Sequence, residues 1–125
     1  MKKNKKIVDR TYLACAHHSV MIGSLGFFLT NQKTSCLLIG LGGGGLPTYI
    51  SAHFDKVKLK VVEIDGAIIR VAKDQFGFNT SDRLQVVQED GLKFIENCAK
   101  DSSGNESSVV EIRINFTKNY LVNIL

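Results

Sequence analysis

Short apolar stretches and amphipathic stretches alternate along the first hundred residues of the chain, with polar or glycine-rich segments between them. The short stretches are rich in Val, Ile and Leu and predict β-strands over residues 36–41, 58–64 and 84–88. The stretches that follow them have helical spacing and predict helices over residues 46–54, 67–76 and 92–98. This order predicts an α/β fold, with a parallel sheet and right-handed crossovers.

Two helices have further signals at their ends. A helix over residues 11–29 is predicted before the first strand, with Asp9 as its cap. The helix over residues 67–76 has Asp65 as a candidate cap and Gly77 as its stop. We expect it to turn an apolar stripe to the core, formed by Ile68, Ile69, Val71, Ala72 and Phe76.

A glycine-rich loop separates the first strand from its helix, and Pro47 suits the first turn of that helix. The spacing Gly-x-Gly-x-Gly is met by Gly40, Gly42 and Gly44, and Gly-x-Gly-x-x-Gly is met when Gly45 replaces Gly44. Backbone N–H groups can approach a ligand closely where no Cβ intervenes, so the loop indicates a nucleotide-like ligand. A merely flexible turn is the alternative interpretation.

Two acidic positions follow the next two strands. Glu63 lies about 20 residues past the glycines, where an acid can accept hydrogen bonds from both ribose hydroxyls. Asp90 suits an exocyclic amine such as that of adenine, and Gly91 would leave the approach open. Carboxyl ends of parallel strands share one edge of a sheet, so the three loops predict a site shaped for adenosine. Solvated strand-end charges and a structural Asp-Gly turn are the alternatives.

The order Gly-Leu-Gly-Gly-Gly, Val-Glu-Ile-Asp and Glu-Asp-Gly-Leu resembles the class I S-adenosylmethionine-dependent methyltransferases, especially their spermidine-synthase-like branch. The likeness is greatest to the C-terminal domains of enzymes that methylate translation elongation factor 1-alpha on a lysine or the N-terminus. It covers roughly residues 7–99 and implies the N-terminal half of a Rossmann-like, three-layer α/β/α domain. The implied cofactor is S-adenosyl-L-methionine, and the implied partners are elongation factor 1-alpha and the remainder of a larger two-domain enzyme.

The resemblance also implies roles for single residues. The methionine part of the cofactor would face Gly40, Gly42 and Gly44, and no catalytic residue is identified. Glu63, with Ile64 beside it, would hold the ribose. The adenine side of the site would consist of Asp90, which holds the amine, and of Gly91 and Leu92 beside the ring. Positioning of the acceptor nitrogen supplies much of the rate in this chemistry, because the sulfonium is already activated.

Three other functions compete with this interpretation. Spermidine synthases carry an Asp in the glycine loop at a position that aligns with Gly43, so polyamine synthesis is disfavoured. A Rossmann half that binds a nicotinamide dinucleotide fits the loop alone, but the two acidic positions argue against it. A truncated, non-catalytic cofactor-binding or interaction fragment is the third.

Composition and charge narrow the range of partners and cellular compartments that fit this chain. The net charge of +4 is concentrated in a basic tail over residues 1–6, which we expect to be disordered, and nucleic-acid binding is disfavoured. The three cysteines show no metal-type pairing and predict buried thiols in a reducing compartment, the cytoplasm. His17 and His18 are expected to be one packed and one exposed imidazole, with no metal site. The apolar stretch over residues 20–29 is too short to span a bilayer, so no membrane partner is expected.

The sequence after residue 99 differs in texture. Residues 100–125 are predicted to be a linker and an atypical tail after a truncated domain. We hypothesise that residues 108–125 come from intron read-through or a frameshift. Residues 109–116 alternate in polarity, as an exposed edge strand does, and do not look like the family's fourth strand. The first strand's edge would then stay unpaired, with poor stability or dependence on another chain as the consequence.

Overall fold

Four parallel strands and four helices make up the described part of the chain, which consists of residues 9–28, 33–101 and 109–112 of a computed structural model. The elements in chain order are α1 (Ala16–Phe28), β1 (Thr34–Ile39), α2 (Gly45–His53), β2 (Val57–Glu63), α3 (Gly66–Phe76), β3 (Leu84–Gln88), α4 (Gly91–Asp101) and β4 (Val109–Ile112). The sheet order is β3-β2-β1-β4, and every pairing is parallel. The predicted α/β fold is confirmed. None of the helices described is long and apolar enough to cross a membrane.

The core lies against the middle strands of the sheet. Consecutive residues of β1, Cys36 to Leu38, are buried, as expected of a parallel strand covered on both faces. The first half of β2 differs, because Lys58 and Lys60 are exposed and alternate with buried residues. The helices contribute apolar side chains to the same core, among them Met21, Leu25, Leu46, Ile50 and Ala72.

Helix α1 begins at Ala16, five positions later than the sequence predicts, and Asp9 is not its cap. Asp9 Oδ1 instead accepts hydrogen bonds from the backbone N–H and the hydroxyl of Thr11, at 2.8 and 2.6 Å. Asp commonly closes local turns in this way, and such turns compete with helix formation.

Helix α3 has the ends that the sequence predicts but buries less of its stripe. Asp65 Oδ1 accepts from the backbone N–H of Ala67 at 2.7 Å, and Gly77 ends the helix with a φ of 68°. Of the predicted stripe, Ala72 is buried and Ile69 half-buried, whereas Ile68, Val71 and Phe76 are exposed. The helix approaches the sheet through the small Ala72, so residues at the margins of the stripe stay at the surface.

Strand β4 fills the edge of β1 that the sequence analysis leaves open. Its register runs from Ser35 opposite Val109 to Leu38 opposite Ile112. A strand over part of residues 109–116, at the edge of the described sheet, is confirmed, but the expectation of an unpaired β1 is wrong. The connection through α4 returns the chain to the amino end of the sheet. There β4 can form hydrogen bonds with the backbone groups on the free edge of β1. The residues outside the described part are 1–8, 29–32, 102–108 and 113–125. They include the basic tail, the last residue of the predicted first helix and most of the predicted linker and tail.

Candidate functional site

The three predicted loops meet at the carboxyl edge of the sheet. The glycine loop follows β1, Glu63 is the last residue of β2, and Asp90 follows β3. The strands are in register up to this edge, with Ile39 opposite Val62 and Glu63 opposite Gln88. The predicted site residues therefore lie on adjacent strand ends, where open α/β sheets bind their ligands.

The glycine loop uses the Gly-x-Gly-x-Gly spacing. Gly40, Gly42 and Gly44 have φ values of 95°, 56° and 76°, in the left-handed region, and Gly45 is the first residue of α2. A Cβ on Gly44 would lie 2.7 Å from Cδ2 of the buried Phe78, so this position has no room for a side chain. Of the two spacings that the sequence leaves open, the backbone requires the one through Gly44.

Several N–H groups of the loop are used inside the protein. Gly40 N donates to Val62 O at 2.7 Å, and Gly44 N donates to Leu41 O at 3.0 Å. Leu41 N donates to the carboxylate oxygen Oε2 of Glu63 at 2.8 Å. The bonds from Gly40 N and Leu41 N fix the loop against β2, and the bond from Gly44 N closes the loop on itself. With these N–H groups already used, the loop offers a ligand close approach of the backbone more than hydrogen bonds.

Glu63 is the buried acid of the site, with 9% of its surface exposed. Its Oε2 accepts from Leu41 N, and its Oε1 accepts from Asp65 N at 3.0 Å. A carboxylate has about four lone-pair positions, so each oxygen can accept a second bond from a ligand hydroxyl. Spacing alone indicated the acid at this edge but gave no signal that the same side chain holds the glycine loop.

Asp90 and Gly91 have structural roles as well. Asp90 Oδ1 accepts from the backbone N–H groups of Leu92 and Lys93, at 2.8 and 3.4 Å, and so caps α4. A Cβ on Gly91 would lie 2.6 Å from Cγ2 of Ile39. The side chain of Ile39, rather than an approaching ligand, is what requires a glycine here in the structure. Capping uses one Asp90 oxygen, and the other has the chemistry to accept from an amine.

Two exposed apolar side chains belong to the same edge. Ile64 is 65% exposed and Leu92 is 68% exposed, and they lie in the segments that follow the neighbouring strands β2 and β3. Large apolar side chains exposed beside buried polar groups are typical of ligand-binding surfaces.

A cavity of about 180 Å³ lies between the glycine loop and the start of α1. The chain places Cys15, His17 and His18 in its wall. Burial, and then the neighbouring His17, lower the pKa of His18 below its usual value. Both histidines are half-buried, with ring centroids 4.4 Å apart, so the expectation of one packed and one exposed ring is wrong.

The same segment brings three candidate metal ligands together. Cys15 Sγ and one ring nitrogen each of His17 and His18 lie within 4.8 Å of one another, although the cysteine pattern showed no metal-type pairing. The turn that opens α1 brings them together, because His18 N donates to Cys15 O at 3.0 Å. The adjacency Cys-x-His-His was the available signal.

The three thiols differ in environment, so the prediction of buried cysteines holds for one of them. Cys36 is buried, Cys15 is half-buried and Cys98 is exposed. Burial raises the pKa of the Cys36 thiol to about 11.

A larger cleft of about 560 Å³ lies away from the predicted site. It is bounded by the first halves of β1 and β2, the start of β3 and one face of α4. Lys60 Nζ lies 5.7 Å from the centroid of the Phe94 ring in its wall. The cleft lies towards the amino ends of the strands, opposite to the edge where the three loops meet.

The chain is similar to several known proteins. The eEF1A lysine and N-terminal methyltransferases of Bos taurus and Homo sapiens are 39% and 40% identical to it over 108 and 97 residues. These alignments cover 82% and 74% of this chain but 16% and 14% of the relatives, so the chain spans about one sixth of their length.

Among solved structures, human methyltransferase-like protein 13 in complex with SAH matches with a TM-score of 0.73 and 34% identity, over 80% of this chain and 47% of that one. A probable spermidine synthase from Corynebacterium glutamicum matches in fold, with a TM-score of 0.69 and 19% identity, over 88% of this chain and 39% of that one. The sequence profile of the spermine/spermidine synthase domain matches residues 15–121, well beyond residue 99. The chain therefore belongs to the spermine/spermidine synthase domain family.

Proposed function

We propose that the chain binds S-adenosyl-L-methionine at the carboxyl edge of its sheet, as the cofactor-binding part of a methyltransferase that acts on protein amines. The observation that carries this proposal is the buried carboxylate of Glu63, bonded to the glycine loop at Leu41 N. One acid thereby joins the two parts of the site that the cofactor would touch. The solved relative in complex with SAH and the relatives named as methyltransferases support the choice of ligand.

Different residues at this edge would contact different parts of the cofactor. The methionine part would lie over Gly40, Gly42 and Gly44, beside the cavity of about 180 Å³. The second lone pairs of Glu63 would accept the ribose hydroxyls, and the second oxygen of Asp90 would accept the adenine amine. The exposed side chains of Ile64 and Leu92 would cover the faces of the ring and lose contact with water.

Methyl transfer requires little acid–base chemistry from the protein. The bound cofactor supplies an activated methyl group, and the chain's own residues hold and orient it. The acceptor that we propose is an amine of translation elongation factor 1-alpha, as the names of the relatives indicate. Further parts of a larger, cytoplasmic two-domain enzyme would supply the rest of the acceptor pocket, since the chain spans 47% of its solved relative.

Aminopropyl transfer is the second candidate, and the family match favours it. A polyamine aminopropyltransferase is 32% identical over 69 residues. The resemblance places Gly43 where spermidine synthases carry the Asp that helps to hold the aminopropyl donor. Gly43 is exposed and offers no carboxylate, so this chain lacks that contact.

Two parallel reactions test the proposal. The chain, supplied together with the further parts of the enzyme, is incubated with labelled S-adenosylmethionine and elongation factor 1-alpha, or with decarboxylated S-adenosylmethionine and putrescine. We expect label on the protein and no spermidine, and we expect Glu63→Gln to lower labelling while Glu96→Gln, on the exposed surface of α4, does not. Cofactor binding without transfer would reduce the chain to a binding fragment. Spermidine formation would overturn the proposal.

A further inference from the structure

We propose that Cys15, His17 and His18, the Cys15 cluster, bind one Zn²⁺ ion in the wall of the glycine-loop cavity. The site lies outside the residues that would hold the cofactor, and it does not depend on the proposed function. The cluster belongs to the segment that opens α1, whereas the cofactor residues follow the three strands.

The distances suit a metal ion. Each residue offers one ligand atom, and these atoms lie within 4.8 Å of one another. Zinc bonds of about 2.3 Å to sulfur and about 2.0–2.1 Å to nitrogen place tetrahedral ligands roughly 3.3–3.6 Å apart. Side-chain rotations of the three residues would close this gap, so no rearrangement of the sheet is required.

The backbone holds the three side chains on one turn. Cys15 directly precedes α1, and its carbonyl oxygen accepts from the N–H of His18, the third residue of the helix, at 3.0 Å. The two rings meet at an interplanar angle of 68° rather than stacking, so their edges can point to a common centre. All three residues are half-buried, which lowers the competition from water while leaving a path through the cavity.

The donor set favours zinc. A thiolate with two imidazoles is a typical combination for Zn²⁺, whereas Mg²⁺ and Ca²⁺ require oxygen ligands. Three protein ligands leave a fourth position for water, as in open zinc sites. The cluster lines the cavity together with Gly40, Gly42 and Gly43, so this fourth position would open towards the glycine loop.

The other thiols provide internal controls. Burial raises the pKa of Cys36 to about 11, which disfavours the thiolate that a metal requires. Cys98 is exposed on α4, in the wall of the larger cleft, and is a candidate for adventitious metal binding. His53, exposed at the end of α2, is the matching imidazole outside the cluster.

Titration of the full chain with Zn²⁺ by calorimetry, and with Co²⁺ by absorption, tests the site. We expect one ion per chain, with the visible bands of tetrahedral Co²⁺ and a thiolate charge-transfer band. Cys15→Ser should abolish the charge-transfer band, and both Cys15→Ser and His18→Ala should weaken Zn²⁺ binding by at least about tenfold. Cys98→Ser and His53→Ala should bind as the wild type does.

Several results would overturn the proposal. They are no saturable binding, equal binding by Cys15→Ser, or loss of binding in Cys98→Ser. Far-UV circular dichroism of each variant ensures that a loss of binding is not a loss of fold. S-adenosylhomocysteine binding is measured separately on the metal-free chain, so failure there would contradict the proposed function and leave the zinc site standing.

Discussion

Removal of the Glu63 carboxylate is the substitution whose effects the structure predicts most sharply. Glu63→Ala deletes the acceptor of Leu41 N, at 2.8 Å, and that of Asp65 N, at 3.0 Å. The first of these contacts is buried and joins the glycine loop to β2, so its loss leaves a buried donor without its partner. We expect the variant to lose both stability and the fixed shape of the loop.

The expected loss of stability in Glu63→Ala can be worked out from these two hydrogen bonds. A hydrogen bond to a charged acceptor contributes about 1.5–3 kcal/mol, and part of the total is offset because the native state no longer has to bury a carboxylate. A net loss of about 2–4 kcal/mol in the free energy of unfolding remains. For a chain of this length it corresponds to a fall in melting temperature of roughly 10 °C. Glu63→Gln keeps one acceptor oxygen and should lose about half as much.

Thermal and urea unfolding, followed by circular dichroism, measures both variants against Glu96→Ala. Glu96 is exposed on α4, and its substitution should change the free energy of unfolding by less than about 0.5 kcal/mol. If Glu63→Ala melts within about 2 °C of the wild type, the two bonds do not hold the loop and the reasoning fails.

Three more substitutions test separate parts of the account. Gly44→Ala should cost about 2–4 kcal/mol in urea unfolding, because its Cβ would lie 2.7 Å from Phe78 Cδ2 at a φ of 76°. Leu92→Ala should weaken S-adenosylhomocysteine binding by about three- to tenfold in calorimetry, without lowering the melting temperature, because the side chain is 68% exposed. Burial raises the Cys36 pKa from 9.0 to about 11, so this thiol contributes stability below pH 9 that is lost as the pH rises through 11. Cys36→Val should remove up to about 2 kcal/mol of this alkaline loss in urea unfolding.

Each of these substitutions has a control or a contradicting result. A Cβ on Gly45 would meet no atom within 4 Å, so Gly45→Ala should be neutral or stabilising, and equal losses at both glycines would refute the steric argument. Val20, 71% exposed on α1, serves as the control for Leu92, and equal effects of both on ligand binding would remove the adenine side of the site. An unchanged pH slope in Cys36→Val would show that Cys36 does not titrate as burial dictates.

The sequence was sufficient to predict those features that depend on local residue patterns and on the direction of the strands. The Val-, Ile- and Leu-rich runs were strands because parallel strands are covered on both faces, and the glycines, Glu63 and Asp90 met because such strands end at one edge. Gly77 ended α3 because its φ of 68° suits a residue without a Cβ. The fold and the position of the candidate site were thus within reach of the sequence.

The sequence could not predict contacts between segments that lie far apart along the chain. The pairing of β4 with β1 depends on where the α4 crossover returns the chain, and polarity alternation carries no such information. The bond from Leu41 N to Glu63 joins residues 22 positions apart. A local Asp9 turn competes with the predicted start of α1. The turn from Cys15 to His18, which begins the helix, brings Cys15 to the two histidines.

Calorimetric titration of the chain with S-adenosylhomocysteine, and in parallel with NAD, decides between the proposed cofactor site and a dinucleotide site. We expect saturable binding of S-adenosylhomocysteine, weakened at least about tenfold by Glu63→Ala when the variant is folded at the assay temperature. NAD should bind far more weakly, because the site resembles one for an adenosine with a methionine part rather than a dinucleotide. Tighter binding of NAD, or S-adenosylhomocysteine binding that Glu63→Ala leaves unchanged, would show that the carboxyl edge is not an S-adenosylmethionine site held by Glu63.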